Sequence, residues 1–324
     1  MAKLRLLVAA LVIVGVCAQP DFGFAKPAPA ARCGFNGNYS FFFWDPQFSI
    51  IGGVGYFSVQ MDPSAKCRSG VVLPGGIINC NQGLDSGEIW EDFIEDGSVF
   101  LETDGEGTME IETNSSRGIC GTGTNAIELD ISIVQGGKSV LFNTNGAEFA
   151  RSGTTPQAGY FDTLTGRADR CFAGQISGCY DLRFWGGINV AEDNGEVILD
   201  LSQVGDCTVC VNGAGAVTGG TCRCHWSEIS SNGVLHTREE TLSEIEGGGY
   251  TLGENCQSST GYLWISTSSD EICGAGNFLA LDFAVAQQGK ELIGACDTAE
   301  FILNNPSEFN AGFVLGCAFE GWLQ

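Results

Sequence analysis

The chain says nearly the same thing twice, and that constrains its fold more than any other feature. Gly37-Asn38-Tyr39-Ser40-Phe41-Phe42-Phe43-Trp44 returns as Gly178-Cys179-Tyr180-Asp181-Leu182-Arg183-Phe184-Trp185. Ile119-Cys120-Gly121-Thr122-Gly123 returns as Ile272-Cys273-Gly274-Ala275-Gly276. Leu129-Asp130, followed by Gln135-Gly136-Gly137-Lys138, returns as Leu281-Asp282, followed by Gln287-Gln288-Gly289-Lys290, and Ala147-Glu148-Phe149 returns as Ala299-Glu300-Phe301. The order is kept, and the offset drifts only from 141 to 153 residues. A period of about 150 residues is too long for a solenoid unit and matches a domain that closes its own core. Two related modules are therefore expected, 33–170 and 171–324.

The first 32 residues stand apart. Lys3 and Arg5 precede an apolar run from Leu6 to Val16, and Val16-Cys17-Ala18 sets small residues where a signal peptidase reads. The expectation is a signal peptide, 1–18, cut after Ala18, then a flexible leader, 19–32, with prolines at 20, 27 and 29. Val16 is wrong for lipidation of Cys17. The run is too short to span a bilayer, and nothing later reaches 18 consecutive apolar residues, so the mature chain reads as soluble and secreted, periplasmic or extracellular.

Export changes the meaning of the cysteines. Of 15, all but Cys17 remain in the mature chain: Cys33, Cys67, Cys80 and Cys120 in the first module, and Cys171, Cys179, Cys207, Cys210, Cys222, Cys224, Cys256, Cys273, Cys296 and Cys317 in the second. An even number in an exported chain reads as disulfides. The first four have counterparts in Cys171, Cys207 or Cys210, Cys222 and Cys273. Equivalent hairpins are expected to be stapled by Cys67–Cys80 and by a bridge from Cys207 or Cys210 to Cys222 or Cys224. Cys207-Thr208-Val209-Cys210 with Cys222-Arg223-Cys224-His225 also offers a zinc set, which an oxidising compartment opposes.

The formal charge of −24, or −26 without Lys3 and Arg5, repels phosphate backbones and anionic lipid heads. Nucleic acid and membrane insertion are not expected.

Secondary structure reads as β almost throughout. Ile127, Leu129, Ile131 and Ile133 alternate with Glu128, Asp130 and Ser132, a period of two that buries one face of a strand. Met109 and Ile111 alternate with Glu110 and Glu112, and Leu279, Leu281, Phe283 and Val285 with Ala280, Asp282 and Ala284. Glycine-rich turns punctuate these runs. Two acidic stretches, Glu88 to Glu95 and Thr237 to Ile245, fit a short helix as well as a bulged strand. Eight or nine short antiparallel strands per module predict an all-β meander closed as an up-and-down barrel, with a β-sandwich as the alternative.

The Gly37-Asn38-Tyr39-Ser40-Phe41 and Gly178-Cys179-Tyr180-Asp181-Leu182 strands resemble the opening strand of exported bacterial modules with tandem lipocalin-like (calycin-like) barrels. Gly249-Tyr250-Thr251-Leu252-Gly253-Glu254-Asn255-Cys256 and Gly97 to Gly105 are similar to a later hairpin of those modules. The resemblance implies β-barrels, with Arg151 in a closing position and Leu303 at the matching place in the second module.

Catalytic constellations are sparse. His225 and His236 are the only histidines, no G-x-S-x-G elbow occurs, and Asn212 to Gly219 misses the dinucleotide spacing. Glu88, Glu91, Asp92 and Glu95 form the densest acidic group and read as a solvated face. Asp104-Gly105-Glu106 and Glu192-Asp193-Asn194-Gly195 are acidic turns without an EF-hand loop. No catalytic residue, metal set or cofactor is assigned. A two-module binding or surface-interaction protein is expected, its ligand a small apolar molecule, a glycan or a protein. An inward cup of Tyr39, Phe41, Phe43, Tyr180, Leu182 and Phe184 would take an apolar ligand. The alternatives are a structural envelope or matrix component and a carbohydrate-active hydrolase or isomerase.

Overall fold

The computed structural model describes residues 33–44, 51–82, 89–116, 118–119, 125–144, 164–186, 189–193, 196–229, 235–239, 242–253, 259–267, 278–296 and 317–324. The signal peptide and leader, Cys120, Arg151, Cys256, Cys273 and Leu303 lie outside them, as do the side chains of Cys224, His225, His236 and Cys317.

Each module is a closed eight-stranded antiparallel barrel. The first comprises β1 (Gly37–Trp44), β2 (Ile51–Met61), β3 (Ser69–Gln82), β4 (Ile89–Leu101), β5 (Glu106–Thr113), β6 (Ala126–Val134), β7 (Ser139–Thr144) and β8 (Thr165–Arg170). Each strand pairs with the next, and β8 returns to β1 from Tyr39↔Arg170 to Trp44↔Thr165. Closure leaves no edge strand in this ring.

The second module comprises β9 (Gly178–Gly186), β10 (Asn189–Asp193), β11 (Glu196–Val211), β12 (Val217–Ile229), β13 (Leu235–Glu239), β14 (Ser243–Leu252), β15 (Thr260–Thr267), β16 (Phe278–Ala286), β17 (Glu291–Cys296) and β18 (Cys317–Leu323). Its ring runs β9-β11-β12-β14-β15-β16-β17-β18 and closes β18 on β9. The long β11–β12 hairpin outreaches the wall, and β10 and β13 flank that extension.

The alternation in the sequence decides which faces turn inward. In β6, Ile127, Leu129, Ile131 and Ile133 are buried, and Leu279, Leu281, Phe283 and Val285 of β16 fill the second core. The acidic stretches are strands, not helices. Ile89 to Phe93 pair with Asn81 to Ile77 of β3, and Thr237 pairs with Ser227 of β12. Completing these ladders satisfies more backbone groups than an isolated helical turn would.

Three disulfides are Cys33–Cys67, Cys179–Cys210 and Cys207–Cys222, and Cys80 and Cys296 are also disulfide-bonded. The expected Cys67–Cys80 bridge is not formed. Cys67 sits in the turn before β3 and Cys80 near the far end of that strand, roughly 30 Å away at strand rise, whereas a bridge needs Cα atoms within about 7 Å. Cys207–Cys222 lies within the expected hairpin set, its members direct cross-strand partners. With Cys207, Cys210 and Cys222 oxidised, the zinc alternative loses three of its four thiolates.

The barrels meet along a seam. Phe42 and Val54 of the first pack against Ala284, Ala286, Ile293 and Ala318 of the second, with Trp44 and Trp185 edge to face at the margin, 6.3 Å between centroids. Ser259 donates its backbone N–H to Ser40 Oγ (2.9 Å). Arg167 makes a fork to both Glu291 oxygens (2.9 Å each) and pairs with Asp169 (2.7 Å), which accepts from Ser139; Gln287 donates to Glu291 (2.7 Å). Asp169 and Glu291 are buried. Desolvation raises the Asp169 carboxyl above its ordinary value, although Arg167 opposes the shift.

Candidate functional site: a cup in the first barrel

One end of each barrel is shut by the same latch. The Tyr39 hydroxyl donates to the Gly137 carbonyl (2.5 Å), and the Tyr180 hydroxyl donates to the Gly289 carbonyl (2.6 Å). The receiving turns share a left-handed backbone, with φ of 51°, 70° and 90° over Gln135–Gly137 and 47°, 60° and 86° over Gln287–Gly289. Only glycine fits the last place in the first barrel, because a Cβ on Gly137 would lie 2.3 Å from the Gly34 carbonyl carbon. Two of the repeated sequence motifs are thus the two halves of one contact. Burial favours the neutral phenol, raising the Tyr39 hydroxyl and pushing Tyr180 up to about 12.

In the first barrel this end is also plugged. Phe35 is fully buried against the edge of Tyr39 (5.1 Å), Tyr39 stacks on Phe57 (5.6 Å), and Cys33–Cys67 ties the plug to the β2–β3 turn. Arg170, which ends β8, donates to the Gly34 and Asn36 carbonyls (2.5 and 3.0 Å). The sequence reading placed a closing arginine at Arg151, outside the described residues. The signal for Arg170 is its place on the last strand opposite Tyr39.

Beyond the plug the barrel interior is hollow. A cavity of about 40 Å³ is walled by the rings of Phe41, Phe43, Phe57 and Phe142 together with Ile78, Met109, Ile111, Ile119, Ile127, Leu129 and Leu164. Every lining group is apolar. The rings lean outward because their cross-strand partners are glycines: a Cβ on Gly55 would come within 2.5 Å of the Phe41 ring, and one on Gly53 within 2.7 Å of Phe43. Removing those side chains from the wall lets the rings retreat from the axis.

Above the apolar cup the inward face turns polar. Thr113 follows Met109 and Ile111 along β5, and Asp92 precedes Ile94 along β4; both are buried, and Ile94 and Thr113 are register partners. The Thr113 hydroxyl oxygen has no hydrogen-bond partner among the described residues. A buried polar atom left unpaired costs about 1–3 kcal/mol.

Of the six aromatic and aliphatic candidates read from the sequence, Phe41 and Phe43 line this cavity, and Tyr39 lies below it in the plug. Tyr180, Leu182 and Phe184 are buried in the other core, 141 residues on, so the six form two separate sets. The sequence reading missed Met109, Ile111, Phe142 and Thr113 as a group, because residues from different strands converge only once the ring has closed. Among the described residues no cluster of histidine, cysteine and carboxylate side chains is arranged to hold a metal ion. No described helix is long and apolar enough to cross a membrane. Asp92 apart, the acidic group at Glu91 and Glu95 is exposed.

The class the fold and cup define is a disulfide-bonded tandem β-barrel protein. Compared with known protein families and curated proteins, the chain gives no match.

Proposed function

We propose that this is an exported binding protein whose first barrel holds a small amphiphile, the apolar part in the cup and a single polar head at Thr113. The observation that carries the reading is the orphaned, buried Thr113 hydroxyl, one inward position along β5 beyond Ile111 of the wholly apolar cavity wall. Apolar cavities of this kind stay dry and admit hydrocarbon, whereas a polar group at the rim fixes orientation. The size suits a compact molecule or the end of an alkyl chain. Export through residues 1–18 belongs to the same reading, supported by disulfides of the kind that persist in oxidising compartments, as does kinship with lipocalin-like exported modules.

The test is thermal shift and calorimetry with linear alcohols from butanol to decanol beside the matching alkanes. Both series should raise the melting temperature, the alcohols more. Thr113→Val should erase the difference between them, and Met109→Trp, which fills the cup, should abolish both. No shift with either series would sink the reading in favour of a structural envelope or matrix component. Turnover of esterase, glycosidase or isomerase substrates is not expected, and activity lost in His225→Ala or His236→Ala would overturn the non-catalytic reading.

A further inference from the structure

The second barrel carries on its outer wall a feature that its twin lacks. Along β15 the outward residues Tyr262 and Trp264 stack with nearly parallel rings, 5.7 Å between centroids and 26° between planes. Both are only partly buried. The register sets Trp264 between Gly249 of β14 and Ala280 of β16, and Tyr262 between Thr251 and Asp282. The indole lies over Gly249, where a Cβ would come within 2.4 Å of its six-membered ring. Nothing larger than a methyl group therefore stands beside the indole on its own rung, and a hydroxyl and a carboxyl stand beside the phenol on the next. Glu244 and Glu246 extend the polar margin along β14.

Aligned through Leu129 and Leu281, the same rung of the first barrel holds Ser98, Glu110 and Glu128. There the Ser98 hydroxyl reaches Glu110 (3.4 Å), and both are exposed. One copy keeps an ordinary solvated acidic rung. The other has replaced all three positions together, two acids and a serine giving way to one large ring flanked by two minimal neighbours. Covering a glycine with a cross-strand ring stabilises a strand pair, but it does not call for the second ring at Tyr262, where the twin has Thr108.

We propose that Tyr262 and Trp264 form a binding surface for an uncharged saccharide, whose C–H-rich ring face stacks on the aromatics while its hydroxyls bond Thr251 and Asp282. Aromatic faces carry negative potential and attract the weakly positive C–H groups of a pyranose. Carboxylates accept hydroxyl protons. The net charge of −24 and the nearby Glu246 oppose sulfated or uronic chains. The row begins near the inter-barrel seam at Ser259 and runs away from it along β15, so a linear oligosaccharide can lie along the strand. This site is on the outer wall and is independent of the cup in the first barrel.

Calorimetric titration of the mature chain with cellohexaose, laminarihexaose and chitohexaose, beside a heparin hexasaccharide, tests it. At least one neutral hexasaccharide should bind with a Kd of about 1 mM or tighter, and Tyr262→Ala and Trp264→Ala should each weaken it roughly tenfold or more. Glu110→Gln, on the equivalent rung of the first barrel, should leave binding unchanged. If Trp264→Ala unfolds the barrel, Tyr262→Ala carries the test, since that ring covers no glycine. Absence of binding by all three neutral sugars, affinity unaltered in Tyr262→Ala, equal affinity for the heparin fragment, or dimerisation lost in Tyr262→Ala would each overturn the proposal.

Discussion

Gly55 and Ile78 of the first barrel and Cys207 and Cys222 of the second occupy the same rungs of the same hairpin. In one, a glycine makes room for the Phe41 ring and Ile78 lines the cavity. In the other, a disulfide lies inside the core beside Leu182, where the first barrel has Phe41. A second exchange accompanies the first. Asn38 and Ser58 of the first barrel are joined by a hydrogen bond (2.7 Å), and their equivalents, Cys179 and Cys210, by a disulfide. Covalent cross-links thus stand in the second copy where the first has packing space and weak polar contacts. The twin cores share a latch and a topology, but at this rung the first leaves an apolar hollow where the second has a cross-link.

The seam gives the largest lever for breaking this comparison, because it joins unlike faces. The outer faces of β1, β2 and β8 meet those of β16, β17 and β18, so the contact is head-to-tail rather than two-fold. Arg167→Met should cost about 3–5 kcal/mol, since Glu291 and Asp169 would stay buried without a counter-charge. Adding Asp169→Asn and Glu291→Gln should restore most of that. A loss below about 1 kcal/mol in Arg167→Met, read from denaturant midpoints, would mean that the barrels are held by apolar contact alone. Residues 31–170 expressed alone should still melt cooperatively with a β-type spectrum, at a lower midpoint than the full chain.

The next lever is the internal cross-link. Replacing Cys207 and Cys222 together by alanine should destabilise the second barrel by about 2–5 kcal/mol. It should also open a dry cavity near Leu182, detectable as new thermal shifts with the short alkanes used to probe the first barrel. Equal sensitivity of the two barrels to reduction would contradict the division of labour between packing and cross-links.

The strand faces were legible in the sequence, because Ile127 to Ile133 and Leu279 to Val285 alternate without interruption. The latch was half legible: both motifs repeat, but nothing local says that Tyr39 reaches Gly137 across 98 residues. The cup was legible only at Phe41 and Phe43, since Ile78, Met109 and Phe142 become neighbours through ring closure. The seam also leaves a trace in the sequence. The outward positions of β16 are Ala280, Asp282, Ala284 and Ala286, where β6 has Glu128, Asp130, Ser132 and Val134. Of these, Ala284 and Ala286 are buried in the seam, and a small apolar residue at Ala284, where the twin keeps Ser132, marks a surface that something covers. The Cys67–Cys80 pairing failed, while Cys207–Cys222 formed, because strand position, not sequence distance, decides which sulfurs meet.

The latches differ in a way that pH can resolve. The Tyr180 phenol is raised from 10.0 to about 12, chiefly by burial, so the folded chain keeps a proton that the unfolded chain has released across that window. Stability from this group is whole below pH 10 and is lost as pH climbs towards 12. Tyr180→Phe should flatten the alkaline decline of the second barrel while lowering its stability at neutral pH by about 1 kcal/mol, the worth of one hydrogen bond. Unchanged alkaline unfolding in Tyr180→Phe would show that another group sets the limit.

The smallest expected effect tests whether the two cores are variants of one packing solution. Phe142 of β7 faces Gly166 of β8 in the first barrel, and a Cβ on that glycine would lie 2.4 Å from the ring. On the equivalent rung of the second barrel the order is reversed: Gly294 of β17 faces Phe319 of β18, with 2.8 Å for the added Cβ. Each hairpin supplies one ring and one gap, and only the strand that bears the ring differs. Phe142→Gly alone should cost about 3–5 kcal/mol through the void it leaves, and Gly166→Phe alone should clash with the ring already there. Made together, they import the arrangement of the second barrel into the first. The pair should couple strongly and leave stability within about 1 kcal/mol of the parent. Because the imported ring approaches the cup from the neighbouring strand, alcohol binding should weaken only slightly. Additive losses in the double variant would mean that each ring is held by its own surroundings rather than by the glycine across from it.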